Sequence, residues 1–600
     1  MQKAEVVLSI LKENSRKDEA YVFDRLYRNL FNEDFFLNAY REVYAKEGNM
    51  TKGTDGNTID GFGYNLIEEL IEKLKSETYY PNPVRRTYIP KKKGGKRPLG
   101  IPSFQDKLVQ EVVKQIIESI YEPIFSDTSH GFRPKRSCHT ALYQIKERCK
   151  GVNWFIEGDI KGFFDNMNQE ILIGILKKKI KDGRLIELIN RFLKAGYLEF
   201  NEVQESLTGT PQGGIISPIL SNIYLHELDK FMESLQKEYN TKCEKNRNPE
   251  YHRTRTLRDY HKKKGNIDRA KELAAKLRKI PAQDPFDKEF KRVIYVRYAD
   301  DFIVGISGNK KFAEEIRDRI KLFLQDNLKL QLSMEKTLIT HTVKERAKFL
   351  GYEINKAINN DKLVKNTRGF KTRAVNGKIQ LLVPQEVVNN KIKPFRKNNK
   401  PHQRNDRVYL DVKEIISKYN DEIRGLYNYY CLATDVSTKL YKFKYYHYYS
   451  MVRTIAKKER ISIKKVVAKY GIEVPRKEGT GTTRVVGIRY NNSSGMKLMT
   501  YFNDSLTKVR KPLTIVDDTI KVKGEEIIKR LNSNTCELCG FKSNNRNDFG
   551  VHHVRKLKEV LEKYKKPSII PPMWVLVMQG IRRKTLVVCK ECHKEIHKIE

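Results

Sequence analysis

Long apolar runs are missing from this chain of 600 residues. The best candidate, Met573-Trp574-Val575-Leu576-Val577-Met578, falls far short of the ~20 residues a membrane-spanning helix needs. The first residues, Met1-Gln2-Lys3-Ala4-Glu5-Val6-Val7, carry an acid early and lack the layout of a secretory signal, so a cytoplasmic protein with no membrane partner is expected. Acidic charge is short as well: 74 Asp and Glu stand against 117 Lys and Arg, a net charge of +43. The basic excess runs through the whole chain instead of forming one tail. That favours a polyanion held along a long surface, most simply nucleic acid, with an anionic membrane surface as the rival. Cysteine is scarce. Cys138, Cys149, Cys243 and Cys431 are scattered and read as reduced thiols, whereas Cys536, Cys539, Cys589 and Cys592 form two CxxC pairs, which in a cytosolic chain suggest metal before disulfide.

The length allows several domains and more than one core. No internal repeat is visible. Residues 1–80 read as an amphipathic helical extension. From 81 to 360, strand-like runs alternate with helices, interrupted at 229–290 by a Lys/Arg-rich helical insertion whose simplest reading is a solvated hairpin. The next unit, 361–478, opens with a basic, turn-rich stretch to about 410 and continues as a helical block. A basic segment, 479–530, then leads to a Cys/His module at 531–600.

Chemistry concentrates at Tyr298-Ala299-Asp300-Asp301, set between Val293-Ile294-Tyr295-Val296 and Phe302-Ile303-Val304-Gly305-Ile306. This reads as strand, tight turn, strand, with two adjacent carboxylates on the turn. Glu157-Gly158-Asp159-Ile160 supplies a third Asp at the end of another strand-like run. Three converging carboxylates are able to hold two Mg²⁺ ions about 3.5–4 Å apart, the arrangement polymerases and nucleases share. An Asp-Asp pair alone is as well explained as a solvated turn.

Other motifs accompany it in order: Tyr88-Ile89-Pro90-Lys91, Lys96-Arg97-Pro98-Leu99-Gly100-Ile101-Pro102, Ser129-His130-Gly131-Phe132-Arg133-Pro134, Thr210-Pro211-Gln212-Gly213-Gly214, Ser333-Met334-Glu335-Lys336-Thr337 and Phe349-Leu350-Gly351-Tyr352. Together they resemble the group II intron-encoded reverse transcriptases. The resemblance implies a multidomain α+β protein. Its parts would be a right-hand fingers–palm with an antiparallel sheet plus helices, an α-helical thumb or maturase domain, and a small zinc-stapled ββα HNH module. It implies that Asp159, Asp300, Asp301 and the Ile160 carbonyl hold the two Mg²⁺ ions. Lys91, Arg97, Phe164, Gln212, Gly213 and Lys336 would line the nucleotide pocket, with Phe164 under the sugar and Lys336 donating a proton to pyrophosphate. Phe163 should point elsewhere, and Lys92 and Lys93 read as an ordinary exposed cluster. The Phe349–Tyr352 loop resembles the segment that steadies the primer end.

In Tyr419–Tyr430, the residues Ile423, Leu426, Tyr427 and Tyr430 share one helical face, which reads as core before a base-stacking platform. With Ser450–Lys458 and basic Lys464-Lys465, this segment resembles the family's maturase domain. At the end of the chain, Cys536, Cys539, Cys589 and Cys592 would close a tetrahedral site around structural Zn²⁺. Val551-His552-His553-Val554 and Cys592-His593-Lys594-Glu595-Ile596-His597 interleave with them. By resemblance to HNH endonucleases, His552, His593 and His597 would bind one catalytic Mg²⁺ and His553 would be the general base. No Asn stands between His553 and His593, so the motif's central Asn is absent, with Arg582-Arg583-Lys584-Thr585 nearby. Zinc-stapled DNA binding without cleavage is the alternative.

The resemblance implies reverse transcription of the host group II intron RNA from dNTPs, help in splicing it, and cleavage of the second strand of a double-stranded DNA target. Homodimerisation stays open. The rivals are another kind of prokaryotic reverse transcriptase, such as a retron enzyme, and a splicing cofactor whose polymerase has decayed.

Overall fold

The computed structural model describes residues 2–599 apart from 47, 91–93, 200–201, 205–212, 241, 243, 285–286, 288, 360–363, 366–368, 370, 373–374, 477–479, 493–494, 513–517 and 565–569. It is a mixed α+β structure with several small sheets and a Cys-rich cluster near the end of the chain.

One four-stranded antiparallel sheet organises the middle. Its order is Arg292–Tyr298, Asp301–Ser307, Trp154–Asp159, Leu338–His341. The apolar runs in these strands lack a polar alternation because both faces are covered. Val293, Tyr295, Phe302, Val304 and Ile306 point into one core, shared with the helices Ser217–Tyr239 and Lys310–Leu328. Ile294, Val296, Ile303 and Phe155 point into a second core. That second core joins the helix Cys138–Arg148 to the helical block Val412–Tyr430, Val436–Glu459 and Ile463–Tyr470.

The helix Ser217–Tyr239 is buried through Asp229, Met232 and Leu235, so the first residues of the expected 229–290 insertion are core. The basic hairpin beyond it is formed by Pro249–Lys263 and Ile267–Lys279, which pack on each other. The 479–530 stretch, read as a basic segment, is mostly ordered structure. Thr482–Asn492 and Gly495–Thr500 form a three-stranded antiparallel sheet with Gly471–Pro475, and Val485, Val486, Tyr501 and Phe502 bury into the second core. Overall basic charge concealed these short apolar positions.

The chain from Asp518 onward does not rest mainly on the helical block that precedes it. The helix Asp518–Leu531 packs on Glu33–Ala45, and Val551, Val587 and Trp574 share the first core with Tyr40 and Phe62. Polar contacts reinforce this return: Tyr64 Oη donates to Asn532 Oδ1 at 2.6 Å, and Arg546 pairs with Glu33 at 2.9 Å. The two ends of the chain thus build one unit. No helix among the described residues is long and apolar enough to cross a membrane.

Candidate active sites

The first site forms where two strands end side by side. Asp159 closes its strand directly opposite Asp301, and Tyr298 pairs with Asp301 across a two-residue turn, Ala299-Asp300. Such turns need positive φ, and Ala299 adopts 56°, at a cost of roughly 1 kcal/mol for a residue with a Cβ.

That conformation is held from below. Arg297, fully buried, donates from Nη1 to the Ala299 carbonyl at 3.0 Å and forms a two-pronged pair with Asp229, at 2.8 and 2.6 Å. A third contact runs to Asn222 Oδ1 at 3.1 Å, and Asn222 donates in turn to the Gly131 carbonyl at 2.9 Å. Burial acts to raise the Asp229 carboxyl, but the guanidinium outweighs it and holds the group at about 2. Gly131 presses on the turn itself. A Cβ there would lie 2.3 Å from the Ala299 nitrogen, so no side chain is tolerated without displacing the carboxylates.

The crowding of negative charge is the site's chemical signature. Burial, then repulsion from Asp300 and Asp159, pushes Asp301 up to about 7. Burial and Asp159 raise Asp300 as well, while Arg97 and Lys336 draw it back. A divalent cation relieves this kind of repulsion, so the donor set suits Mg²⁺. Lys336 Nζ donates to Asp159 Oδ2 at 2.7 Å, and its ammonium is stabilised chiefly by that contact. Lys336, the expected proton donor to pyrophosphate, is thus held at the carboxylates by Asp159.

Around the triad, Ile160 is buried and bridged to Leu332. Phe163 is buried while its neighbour Phe164 is half-exposed, the two rings meeting edge-on at 5.3 Å. Arg97 lies exposed on the strand Lys96–Ile101, opposite Ile89. Gly213 has φ +115°, and a Cβ would meet the Gly100 carbonyl oxygen at 2.2 Å, which brings its backbone against the Arg97 strand. Lys91 and Gln212 lie outside the described residues. Phe349 and Tyr352 pair across a turn in which Leu350 and Gly351 both have positive φ. Tyr429 and Tyr430 donate to the carbonyls of Leu350 and Gly351 at 2.8 and 3.1 Å. Ile423, Leu426 and Tyr430 are buried, and the aromatic helix fastens this hairpin.

The second site lies on the antiparallel pair Phe549–His553 and Thr585–Cys589 and the helix Lys590–Ile599 that follows. Cys536, Cys539, Cys589 and Cys592 bring their sulfurs within 4.8 Å of one another, a cluster able to hold a structural metal ion. Leu538 and Gly540 complete the first knuckle, with the Gly540 amide donating to the Cys536 carbonyl at 2.9 Å. His552, His593 and His597 also converge, joined by Asp60, which no local motif marks. His552 is fully buried and both of its ring nitrogens lack a hydrogen-bond partner, as does His593 Nε2. Unpaired imidazole nitrogens aimed at one point are what a bound cation would satisfy.

His553, expected as the general base, is buried in this structure. The residue is 3% exposed, its Nε2 lies 2.8 Å from the Tyr40 hydroxyl, and burial pushes its pKa down to about 3. It follows His552 directly on the strand Phe549–His553. The cover comes from a helix more than 500 residues earlier, which no local pattern records.

Comparison with known proteins places the chain in a family. Residues 89–244 and 271–354 match the reverse transcriptase (RNA-dependent DNA polymerase) family, 376–522 the type II intron maturase family, and 536–593 the AI2M/AI1M-like HNH endonuclease family. The chain is a polymerase, maturase and endonuclease in one polypeptide. It belongs to the group II intron-encoded proteins: it is 40% identical to the group II intron-encoded protein LtrA of Lactococcus lactis subsp. cremoris, over the full length of both. An uncharacterized 91 kDa protein in the cob intron of Schizosaccharomyces pombe is 34% identical, over 98% of this chain and 72% of that one. Protein YkfC of Escherichia coli is 33% identical, over 56% and 84%.

Arg297 had left a signal in the sequence, since a charged residue inside a buried run demands a buried partner. Asp229, Asn222, Tyr40 and Asp60 had left none.

Proposed function

We propose that Asp159, Asp300 and Asp301, with the Ile160 carbonyl, hold two Mg²⁺ ions for RNA-templated DNA synthesis. The observation that carries this reading is the register pair Asp159–Asp301 beside a turn that adds Asp300. Two bound Mg²⁺ ions supply neutralisation of the primer 3′-oxygen and the incoming triphosphate. The protein's own side chains position the reactants. Arg97 and, from the family motif, Lys91 receive the triphosphate; Gly213 and Gln212 line the base-pair side; Phe164 packs under the sugar. Lys336 exchanges its aspartate partner for the departing phosphates. The central sheet acts as palm, the Val84–Pro90 and Lys96–Ile101 hairpin as part of the fingers, and the helical block as thumb and maturase domain. The Tyr429/Tyr430-fastened hairpin steadies the primer end.

The basic surface takes host intron RNA and target DNA, with salt-sensitive affinity from counterion release. Zn²⁺ occupies the Cys₄ cluster. His552, His593 and His597 hold the nuclease Mg²⁺, and His553 takes the proton from water after the Tyr40 hydroxyl gives way. Splicing, cleavage of the second DNA strand and priming of cDNA from the new 3′ end then follow on one protein.

The test is Asp300→Ala in the full chain, assayed for primer extension and for protein-dependent lariat release at low Mg²⁺. We expect extension to disappear and splicing to remain near the parent level. Equal collapse of both would overturn the separation of roles.

A further inference from the structure

We infer that Asp60, in the N-terminal extension, is the fourth protein ligand of the nuclease metal ion, so that this centre is shared between the two ends of the chain. The inference rests on the assignment of His552, His593 and His597 as metal ligands and adds a residue from nearly 500 positions upstream.

Geometry makes the first argument. Asp60 Oδ1 lies 3.2 Å from His552 Nδ1, and its Oδ2 lies 3.3 Å from His593 Nε2 and 2.7 Å from His597 Nε2. One ligand atom from each of the four residues falls within 4.8 Å of all the others. The contact to His597 is a hydrogen bond, whereas those to His552 Nδ1 and His593 Nε2 are close without being aligned as hydrogen bonds and leave both nitrogens unsatisfied in a buried setting. Four ligand residues around a common point, with three ring nitrogens left unsatisfied among them, fit an ion at the centre better than a self-contained cluster.

The carboxylate is also held in place by contacts that do not involve the imidazoles. The amide of His553 donates to Asp60 Oδ1 at 2.6 Å. The next residues pair with the nuclease strand: Gly61 N donates to the Val551 carbonyl at 2.9 Å, and Val551 N to the Phe62 carbonyl at 2.8 Å. Phe62 stacks on Tyr40 at 3.7 Å, and Tyr40 reaches His553. Asp60 is therefore carried into the site by an added strand-like segment anchored in the first core. It is not a surface acid that happens to lie near.

Charge makes the third argument. Three neutral imidazoles leave a divalent ion with its full charge next to the fully buried His552, and desolvating an uncompensated charge is costly. The Asp60 side chain is only 12% exposed, and its ion partners are the three imidazoles, with no Lys or Arg among the described residues within ion-pair distance. A carboxylate so placed halves the net charge of the loaded site. The family match to the endonuclease covers 536–593 and so omits both Asp60 and His597.

The test uses Ni²⁺ binding to the full chain, an ion suited to imidazole and carboxylate ligands. The chain has two tryptophans, and Trp574 packs edge-on against His552 at 5.4 Å. A Trp154→Phe background makes Trp574 the single reporter, and its quenching by Ni²⁺ reads this site directly, without any cleavage assay. Asp60→Asn keeps the shape and the oxygen that accepts from His553 N, so folding is preserved. We expect Asp60→Asn to weaken Ni²⁺ binding about tenfold or more, and His593→Ala to weaken it at least as much. Unchanged or tighter binding in Asp60→Asn, with loss in His593→Ala, would overturn the role of Asp60 alone. Unchanged binding in both would overturn the histidine site on which the inference rests.

Discussion

The polymerase and nuclease centres differ in where their parts come from. The carboxylates of the first sit on two adjacent strands and one turn, and the hydrogen-bonded support beneath that turn, Arg297, Asn222 and Gly131, comes from residues 131–297. The second takes three imidazoles from the last 49 residues and a carboxylate and a phenol from the first 60. A site built within one folding unit depends on that unit alone. One built across the two ends of the chain depends on how those ends dock, and docking becomes a condition for chemistry.

The largest effect separating the two should come from Asp301→Asn. We expect primer extension to fall by about three orders of magnitude or more, a loss of ~4 kcal/mol of transition-state stabilisation, with second-strand cleavage unchanged. His553→Ala should do the converse, removing cleavage and sparing extension; cleavage that survives would exclude His553 as the base.

Next comes the support under the turn. Asp229→Ala leaves the Arg297 guanidinium buried without its partner, and should cost roughly 3–5 kcal/mol in urea unfolding. Gly131→Ala is subtler. It should shift the turn and lower extension by about a hundredfold, while leaving Ni²⁺ quenching of Trp574 as it was. A matching change at the nuclease centre would mean that the two sites are mechanically one.

The last effect is a pH dependence at His130, beside the polymerase turn. His130 donates and accepts with Thr140 and Gln144, and burial holds its pKa down at about 4 against an ordinary 6.5. The unfolded chain takes up this proton first as pH falls. The stability linked to neutral His130 is thus complete above pH 6.5 and lost progressively down to about pH 4. His130→Gln should flatten the slope of unfolding free energy in that window.

Legibility followed the same division. The strand–turn–strand around Asp300 and Asp301 could be read directly, because apolar runs and a two-residue turn are local patterns. The two CxxC pairs and the i, i+4 histidines His593 and His597 were readable for the same reason. The sheet at 471–500 was not, since basic residues on its outer side masked the few positions that bury. Tyr40 over His553 carried no local signal either.

By itself, then, the sequence determined the residue types, their spacing along single elements and the family they spell out: Asp159, Asp300, Asp301, four cysteines and four histidines. Only the tertiary structure decided that Asp229 meets Arg297 beneath the turn, that His553 is covered, and that Asp60 enters the histidine cluster. The physical reason is that periodicity and turn chemistry act over a few residues, whereas pairing a buried charge or completing a ligand shell depends on which distant surfaces bury together.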